Sequence, residues 1–560
     1  MISLERSTPA ARRRLGTRIL AGIAAVAFLI GLIVGATTLS GSQRIARSFT
    51  SDWVRGDYAH MYSMLTPAAK KRVSAQTFRS AYTTAAATAT AVRVTAGKVH
   101  DDGDFGRVDM TVRTRIFGVV RGSLRVPVVD DHVDWAPDLV FPGLKRGEAL
   151  TRRTAAPKRA RILSRDGQTI VSGPATARVV APASPAASIA GQVAPPPSVA
   201  EQTALYARGF PIGTPVGMSG LERALESRLE GRPGGELLVG RRRVATAAPQ
   251  PARSVRSSID LRIQAAAVQA LAGRFGGIAA LDPGTGRIRA LAGIAFSAPQ
   301  PPGSTFKIIT TTAALEHHVV RTSSQFPVET HAVIDGVSLQ NANGESCGGS
   351  FATSFAESCN SVFAPLGVKI GGARLVATAE KFGFNEPPSM VGEAPSTLPS
   401  AGEIGSPLAI GSSAIGQGKV LATPLEMALV ADTIASHGVR HRPTLLEHGG
   451  VTRGIRVTKG RIARTVEKLM IGVVRFGTGT AAAIPGVVVA GKTGTAELQS
   501  TVGPIGTVPP VDTDAWFAAY APTRRPRLAV GVLFVKAGAG GAVAAPAARI
   551  VLLAGLAAKR

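Results

Sequence analysis

Acidic side chains and aromatic rings are both scarce in this chain. Of 560 residues, 36 are Asp or Glu against 64 Lys or Arg, giving a net charge of +28 and an isoelectric point near 11.2. That charge would suit nucleic acid, but aromatics make up only 5% and no basic run is interleaved with them. The stacking surfaces of a nucleic-acid binder are therefore missing, and no nucleic-acid partner is expected. The Arg and Ala richness runs through the whole chain, and a basic exterior facing an anionic lipid or polymer accounts for the charge equally well. Cysteine is nearly absent: Cys347 and Cys359 are the only two. There is no His-Glu-x-x-His word, and His317-His318 has no second ligand set, so no metal and no cofactor are expected.

One run, residues 19–39, carries no charge over 21 positions and follows Arg12, Arg13, Arg14 and Arg18. Its length spans a bilayer, and the arginines on its N-terminal flank put residues 1–18 in the cytoplasm as a short tail. A cleaved signal peptide is the competing reading, with Val34-Gly35-Ala36 as its cleavage site. The run is longer than a usual signal core, which favours a retained single-pass anchor. On either reading, residues from about 40 onward lie outside the membrane. There Cys347 and Cys359 can close a short loop beside Asn360 as a disulfide, or stand as two free thiols in a buried site.

A chain of this length is expected to hold about three domains. Residues 43–147 read as a first module: helices over 46–64 and 67–85 with Trp53, Tyr58, Met61 and Leu65 on an apolar face, then strands over 91–99, 105–120 and 123–129. Asp101, Asp102 and Asp104 read as a solvated turn. Residues 150–255 are irregular, with Pro- and Ala-rich stretches, Arg241-Arg242-Arg243 and one short helix over 220–226; they read as a pedestal between two domains. From 257 the pattern becomes regular. A helix over 259–272 starts at Asp260. Strands over 277–281 and 287–292 flank Asp282-Pro283-Gly284-Thr285-Gly286, a turn by composition. A mostly helical stretch reaches about 480, and strands over 487–490, 515–520 and 528–535 precede a helix over 544–558. Two strands first, three last and helices between predict an α+β domain whose sheet joins both ends.

Three short words in this last region carry chemistry: Ser304-Thr305-Phe306-Lys307, Ser358-Cys359-Asn360 and Lys492-Thr493-Gly494-Thr495. Each alone is cheap; a Ser and a Lys three apart are usually surface residues of an ordinary helix. In this order they describe an acyl-transferring serine enzyme. Pro301-Pro302-Gly303 punctuates a helix start and leaves Ser304 near the N-terminus, with Lys307 on the same face. Lys307 can serve as base if burial and a cationic neighbour, Lys492, lower its pKa.

Residues 257–560 resemble the transpeptidase domain of the penicillin-binding proteins, a fold shared with the serine β-lactamases: an antiparallel sheet flanked by helices. The resemblance also rests on Ile259-Asp260-Leu261-Arg262-Ile263-Gln264, Ala280-Leu281-Asp282-Pro283, Gly416-Gln417-Gly418 with Thr423-Pro424-Leu425, and Trp516-Phe517. Residues 43–147 resemble the nuclear-transport-factor-like module of class B members, through Trp53-Val54-Arg55-Gly56-Asp57-Tyr58. The pedestal matches least: in Arg159-Ala160-Arg161-Ile162-Leu163-Ser164-Arg165-Asp166-Gly167, Ala160 and Ser164 depart from the family's Arg-Gly-x-Ile-x-Asp-Arg-x-Gly.

The resemblance implies a DD-transpeptidase. Ser304 would attack the penultimate D-alanine of a wall stem peptide with Lys307 as base. Ser358 would pass the proton to the leaving amine, Asn360 would bond substrate and lysine, and Lys492 would keep the network electropositive. Thr493 and Thr495 would grip the terminal carboxylate on either side of Gly494, and the backbone N–H groups of Ser304 and Thr495 would form the oxyanion hole. β-Lactams would be covalent inhibitors. No glycosyltransferase module fits 43–255, so a glycan polymerase in the membrane is the implied partner. A β-lactamase or DD-carboxypeptidase is the second reading, opposed by the anchor, the first module and the lack of a recognisable deacylating carboxylate; Glu357 beside Ser358 does not resemble one. A non-catalytic penicillin-binding scaffold is the third, opposed by complete catalytic words. Gly416-Gln417-Gly418 reads as a structural turn near the cleft.

Overall fold

The computed structural model describes residues 39–449, 451–497 and 512–558. The tail and the apolar run expected at 1–39 lie outside the described residues, save Leu39. The chain forms two compact units. One takes the residues up to Pro157 with Pro197–Gly213 and Arg232–Gln250; the other takes Lys158–Pro196, Thr214–Gly231 and the chain from Pro251. The stretch read as one pedestal is thus divided between the two.

In the first unit, helix α1 (Gly41–Arg55) opens with a capping box: Ser40 Oγ accepts from Gln43 N–H, and Gln43 returns the bond to Ser40 N–H at 2.8 Å. It stops at Gly56, so the helix expected over 46–64 is two, the second being Tyr58–Ser63 behind an Asp57 cap. The next expected helix is also broken, since Val73 is extended and Ser74 caps a new start at α2 (Ala75–Ala89). Strands β1 (Ala91–Asp102), β2 (Phe105–Thr114), β3 (Val119–Val129) and β4 (His132–Val133) pair antiparallel in that order. The strand expected through 105–120 ends early because Thr114 Oγ1 accepts from Phe117 N–H and turns the chain. Phe49, Trp53, Met61, Phe78, Tyr82 and Trp135 fill the core. Residues of the expected pedestal complete it: β5 (Leu150–Ala155), β6 (Gly234–Val239) and β7 (Arg242–Ala247) form a sheet in the order β7-β6-β5, and Leu237 and Val239 are buried in that core.

The second unit starts its regular part with α3 (Leu261–Leu271), capped by Asp260 Oδ1 on the N–H groups of Arg262 and Ile263. Five antiparallel strands follow in the order β9-β8-β12-β11-β10: β8 (Gly276–Asp282) and β9 (Arg287–Gly293) come from the start of the domain, β10 (Ala490–Glu497), β11 (Thr513–Ala521) and β12 (Leu528–Phe534) from its end. The sheet does join both ends, and its last strand holds Lys492-Thr493-Gly494-Thr495 within it, not after it. Ile263, Ala267 and Leu271 of α3 and Val551 and Leu552 of α9 (Gly540–Ala557) cover one face. Among the described residues, α9 is the single continuous helix long and apolar enough to cross a membrane, and it spends its apolar side on the sheet.

The other face packs against residues from between the strands: Phe306 and Ile309, Met427 and Ala431 of α7 (Pro424–Ala435), and Val466 and Met470 of α8 (Gly460–Arg475) are all buried there with Leu281, Trp516 and Leu533. The stretch expected to be mostly helical also contains short strands. Gln325–Glu329 pairs with Cys347–Ser350, and His331–Ile334 with Val337–Gln340. The latter hairpin turns at Asp335-Gly336, both with positive φ, a two-residue turn signal visible in the sequence.

Candidate active site

Ser304 lies in a tight turn, Gly303–Phe306, that runs into helix α4 (Lys307–Glu316). Phe306, Ile308 and Ile309 are fully buried, which anchors the turn while Ser304 stays half-exposed. Gly303 has φ +52, and a Cβ there would stand 2.9 Å from Thr495 O. Glycine therefore lets the turn close against β10. Gly494 does the same from the other side: its Cβ would stand 2.6 Å from Pro302 O. Gly303 N–H donates to Gly416 O at 2.9 Å, so Gly416-Gln417-Gly418 braces the turn from behind.

The second word joins helices α5 (Phe351–Ala356) and α6 (Asn360–Ile370). Ser358 has φ +66, a left-handed backbone that a non-glycine residue holds only when its surroundings enforce it. Here its carbonyl is bonded by Lys307 Nζ at 2.7 Å. Lys307 Nζ also donates to Asn360 Oδ1 at 2.7 Å and lies 3.3 Å from Ser358 Oγ. From β10, Lys492 Nζ donates to Ser358 Oγ at 2.8 Å and to Thr493 O at 3.1 Å. Residues far apart in the chain thus converge on one hydroxyl, Ser358 Oγ, with an amine on each side. No hydrogen bond joins Lys307 to Ser304 among the described residues.

Both amines are fully buried. Burial, then the charge of Lys492, hold Lys307 well below the ordinary lysine range. Burial alone brings Lys492 down to about 7. The rings of Phe363, 5.3 Å from Lys307 Nζ, and Phe355, 5.6 Å from Lys492 Nζ, offer each a weak cation–π contact in place of a carboxylate. The count of donors is informative. A neutral amine has two N–H groups and one lone pair; Ser358 O and Asn360 Oδ1 can only accept, so they consume both N–H groups of Lys307. Its lone pair is left to take a proton from a hydroxyl.

The remaining residues lie around this centre. Asn360 Nδ2 donates to Gln340 O at 2.7 Å, which fixes its amide with Oδ1 toward Lys307. Cys347 and Cys359 are joined by a disulfide that ties the strand Cys347–Ser350 to the second word. Thr495 Oγ1 accepts from Gly540 N–H at 3.3 Å, at the start of α9. Thr493 is only 4% exposed, and its hydroxyl lies 2.5 Å from that of Thr478. Thr478 was not among the residues singled out from the sequence; its setting, Gly477-Thr478-Gly479 just past a helix, was the available signal. His317-His318 is exposed at the end of α4.

Two family models match the chain. The penicillin binding protein transpeptidase domain matches residues 276–553. The NTF2-like N-terminal transpeptidase domain matches residues 41–148. Among curated relatives, the peptidoglycan D,D-transpeptidase PbpA of Mycolicibacterium smegmatis is 33% identical over 425 residues, 64% of this chain and 83% of that protein. PbpA of Mycobacterium tuberculosis is 37% identical over 286 residues, 47% of this chain and 56% of that protein. Among solved structures, penicillin-binding protein A of M. tuberculosis as a ceftriaxone acyl-enzyme superposes with a TM-score of 0.57 at 27% identity, over 71% of this chain and 98% of that one. Pseudomonas aeruginosa PBP2 superposes with a TM-score of 0.62 at 25% identity, over 73% of this chain and 97% of that one.

Proposed function

The chain belongs to the class B penicillin-binding proteins, and from that premise we propose that it is a serine-type peptidoglycan D,D-transpeptidase that forms its acyl ester on Ser304. The observation that carries this reading is the meeting of Lys307, Lys492 and Asn360 around Ser358, with two buried amines and, among the described residues, no carboxylate paired with either. That is a proton relay built beside a half-exposed hydroxyl.

In the forward step, Lys307 as free amine takes the Ser304 proton while Ser304 Oγ bonds to the carbonyl carbon of the penultimate D-alanine. The developing oxyanion is held by the N–H groups of Ser304 and Thr495, a term commonly worth about 3–4 kcal/mol of barrier. Collapse breaks the peptide bond, and the proton passes from Lys307 through Ser358 Oγ to the leaving D-alanine amine. Lys492 holds Ser358 Oγ and keeps the site positive, and Thr493 and Thr495 hold the terminal carboxylate. An amine of a neighbouring stem peptide then attacks the ester, its proton follows the same route back to Ser304, and a cross-link remains. A β-lactam enters the same path and leaves a stable adduct.

Anchoring is part of the proposal. Residues 19–39 form the single membrane span, 1–18 lie in the cytoplasm, and the chain from about residue 40 onward, both compact units included, works outside. A glycan polymerase in the same membrane supplies the strands. The apolar run with its preceding arginines and the disulfide support this placement.

The test is fluorescent penicillin on the full chain in detergent, beside Ser304→Ala, followed by a donor–acceptor stem-peptide assay. A long-lived adduct lost in the variant, with cross-linked product, is expected. Rapid release of the adduct would favour a hydrolase, and a folded protein that never labels would leave only the scaffold.

A further inference from the structure

The outer face of the first unit's sheet carries charge that the fold does not use. Along β2, Val108, Met110 and Val112 are buried in the core, while Arg107, Asp109 and Arg113 alternate with them and are exposed. The register sets Arg113 directly across from Arg93 on β1, and its neighbour on that face, Thr111, across from Arg121 on β3. Adjacent strands lie about 4.8 Å apart, and same-face residues along a strand about 7 Å apart. Arg93, Arg113 and Arg121 are all exposed, so they form one cluster of guanidinium groups on the open side of the sheet. Among the described residues, none of the three side chains has an ion pair or a hydrogen bond.

The other end of the same face is balanced. Arg125 Nε donates to Asp102 Oδ2 at 2.8 Å, and His100 Nε2 lies 3.0 Å from Asp109 Oδ2. Like charges set directly opposite each other on a sheet cost stability, and Arg93 and Arg113 carry that cost with no acidic partner to relieve it. Position narrows the choice of anion. The chain enters the unit through α1, whose first turn packs at the Phe105 end of β2: a Cβ on Gly106 would stand 2.8 Å from Ser42 O. Arg113 is seven residues further along β2, about 24 Å away. The three arginines therefore lie at the end remote from where the chain would leave the bilayer, out of line with lipid headgroups. A long polyanion reaches them freely, and guanidinium forks match phosphate oxygens well.

We propose that Arg93, Arg113 and Arg121 bind a phosphodiester polymer of the cell wall, of the polyol-phosphate kind, laid across strands β1, β2 and β3. The first unit then tethers the enzyme to the polymer network in which its substrate lies, and takes no part in acyl transfer. The inference rests on the placement outside the membrane in the reading above, since that placement is what brings wall polymer to this face.

The experiment measures binding of poly(glycerol phosphate) to the full chain in nonionic detergent over a range of salt. It compares the parent, the triple variant Arg93→Gln, Arg113→Gln and Arg121→Gln, and the double variant Arg107→Gln and Arg125→Gln from the balanced end. The triple variant is expected to lower affinity roughly ten- to a hundredfold at low salt. It should also flatten the slope of log K against log salt by about 2, three phosphate contacts at about 0.7 each. The double variant is expected to change affinity less than about threefold. Phosphatidylglycerol doped into the micelles at equal phosphate should displace little of the polymer. The triple variant should melt no lower than the parent, because a repulsion is removed, and should take up fluorescent penicillin at the parent rate. A parent that does not bind the polymer, or equal losses in both variants, overturns the inference. Displacement by phosphatidylglycerol as effective as by free polymer overturns it in favour of a lipid surface. A parent that binds the polymer through these arginines but never labels with penicillin would instead overturn the transpeptidase reading and leave the polymer site standing.

Discussion

The second unit contains two buried clusters of charge that have been solved in opposite ways. In one, Arg159 is 3% exposed and meets Glu222 and Glu226, each at 2.6 Å, and Arg178 meets Glu222 at 2.6 Å. In the other, Lys307 and Lys492 are as deeply buried, share one serine hydroxyl, and have no carboxylate partner among the described residues. The first cluster is compensated, each guanidinium facing a carboxylate, and its bonds tie segments together. The second is left uncompensated, so burial weakens the hold of each amine on its proton. A charge with its counter-ion builds structure; a charge without one becomes a base.

Substitutions in each cluster sharpen this contrast, because they should break opposite properties. Lys307→Met is expected to have the largest effect on chemistry, slowing penicillin acylation by roughly 10²–10⁴-fold, the usual worth of a general base. It should leave the melting temperature unchanged or raised, because a buried, unpaired amine is removed. Stopped-flow acylation with a parallel melting curve checks both. A folded variant that acylates at the parent rate would remove Lys307 from the mechanism.

Glu222→Ala should do the reverse. It leaves Arg159 and Arg178 buried with one fewer partner, a loss of about 3–5 kcal/mol and a fall in melting temperature on the order of 5–10 °C. Below the transition, the acylation rate constant of the folded protein should be that of the parent. A melting temperature within a degree of the parent would show that this cluster is not structural.

The two clusters were not equally legible in the sequence. The active-site words could be read because their chemistry requires particular residues at short spacing on single elements: Ser304 and Lys307 on one turn, Ser358 and Asn360 on one junction. The sheet joining both ends was also legible, since alternating apolar runs sit next to turn residues such as Asp282-Pro283-Gly284. Arg159 is different. Its partners are 63 and 67 residues away, and no local spacing announces them. Nor could the departures at Ala160 and Ser164 be judged before the packing was seen. Ala160 fits a buried place with its N–H on Leu229 O, and Ser164 Oγ accepts from Gln168 N–H to close the Arg165-Asp166-Gly167 turn. Thr478 was missed for the same reason: its meaning lies in a contact with Thr493, fifteen residues on, made only when β10 takes its place. The breaks in the early helices were missed because Gly56 and Ser74 act locally, against an apolar period that continues through them.

The subtlest expected effect is a pH dependence, and its sign follows from the missing counter-ion. Burial lowers Lys492 from the ordinary value of 10.5 to about 7, so the folded protein holds this proton less tightly than the unfolded chain. Below about pH 7 both states are protonated and the full cost of burying the charge is present. Between about pH 7 and 10 the unfolded chain binds the extra proton, and stability climbs with pH, by about 1.4 kcal/mol per unit at most. Lys492→Met removes the titrating group. Its stability relative to the parent should therefore be greatest near pH 6 and shrink steadily towards pH 9. Glu222→Ala, measured over the same range, should show a deficit that does not move, since the arginines it strands stay charged throughout. Melting curves at half-unit steps of pH decide between these. A Lys492→Met difference that stays flat from pH 6 to 9 would mean that the buried amine keeps one protonation state, and the contrast between the two clusters would then rest on geometry alone.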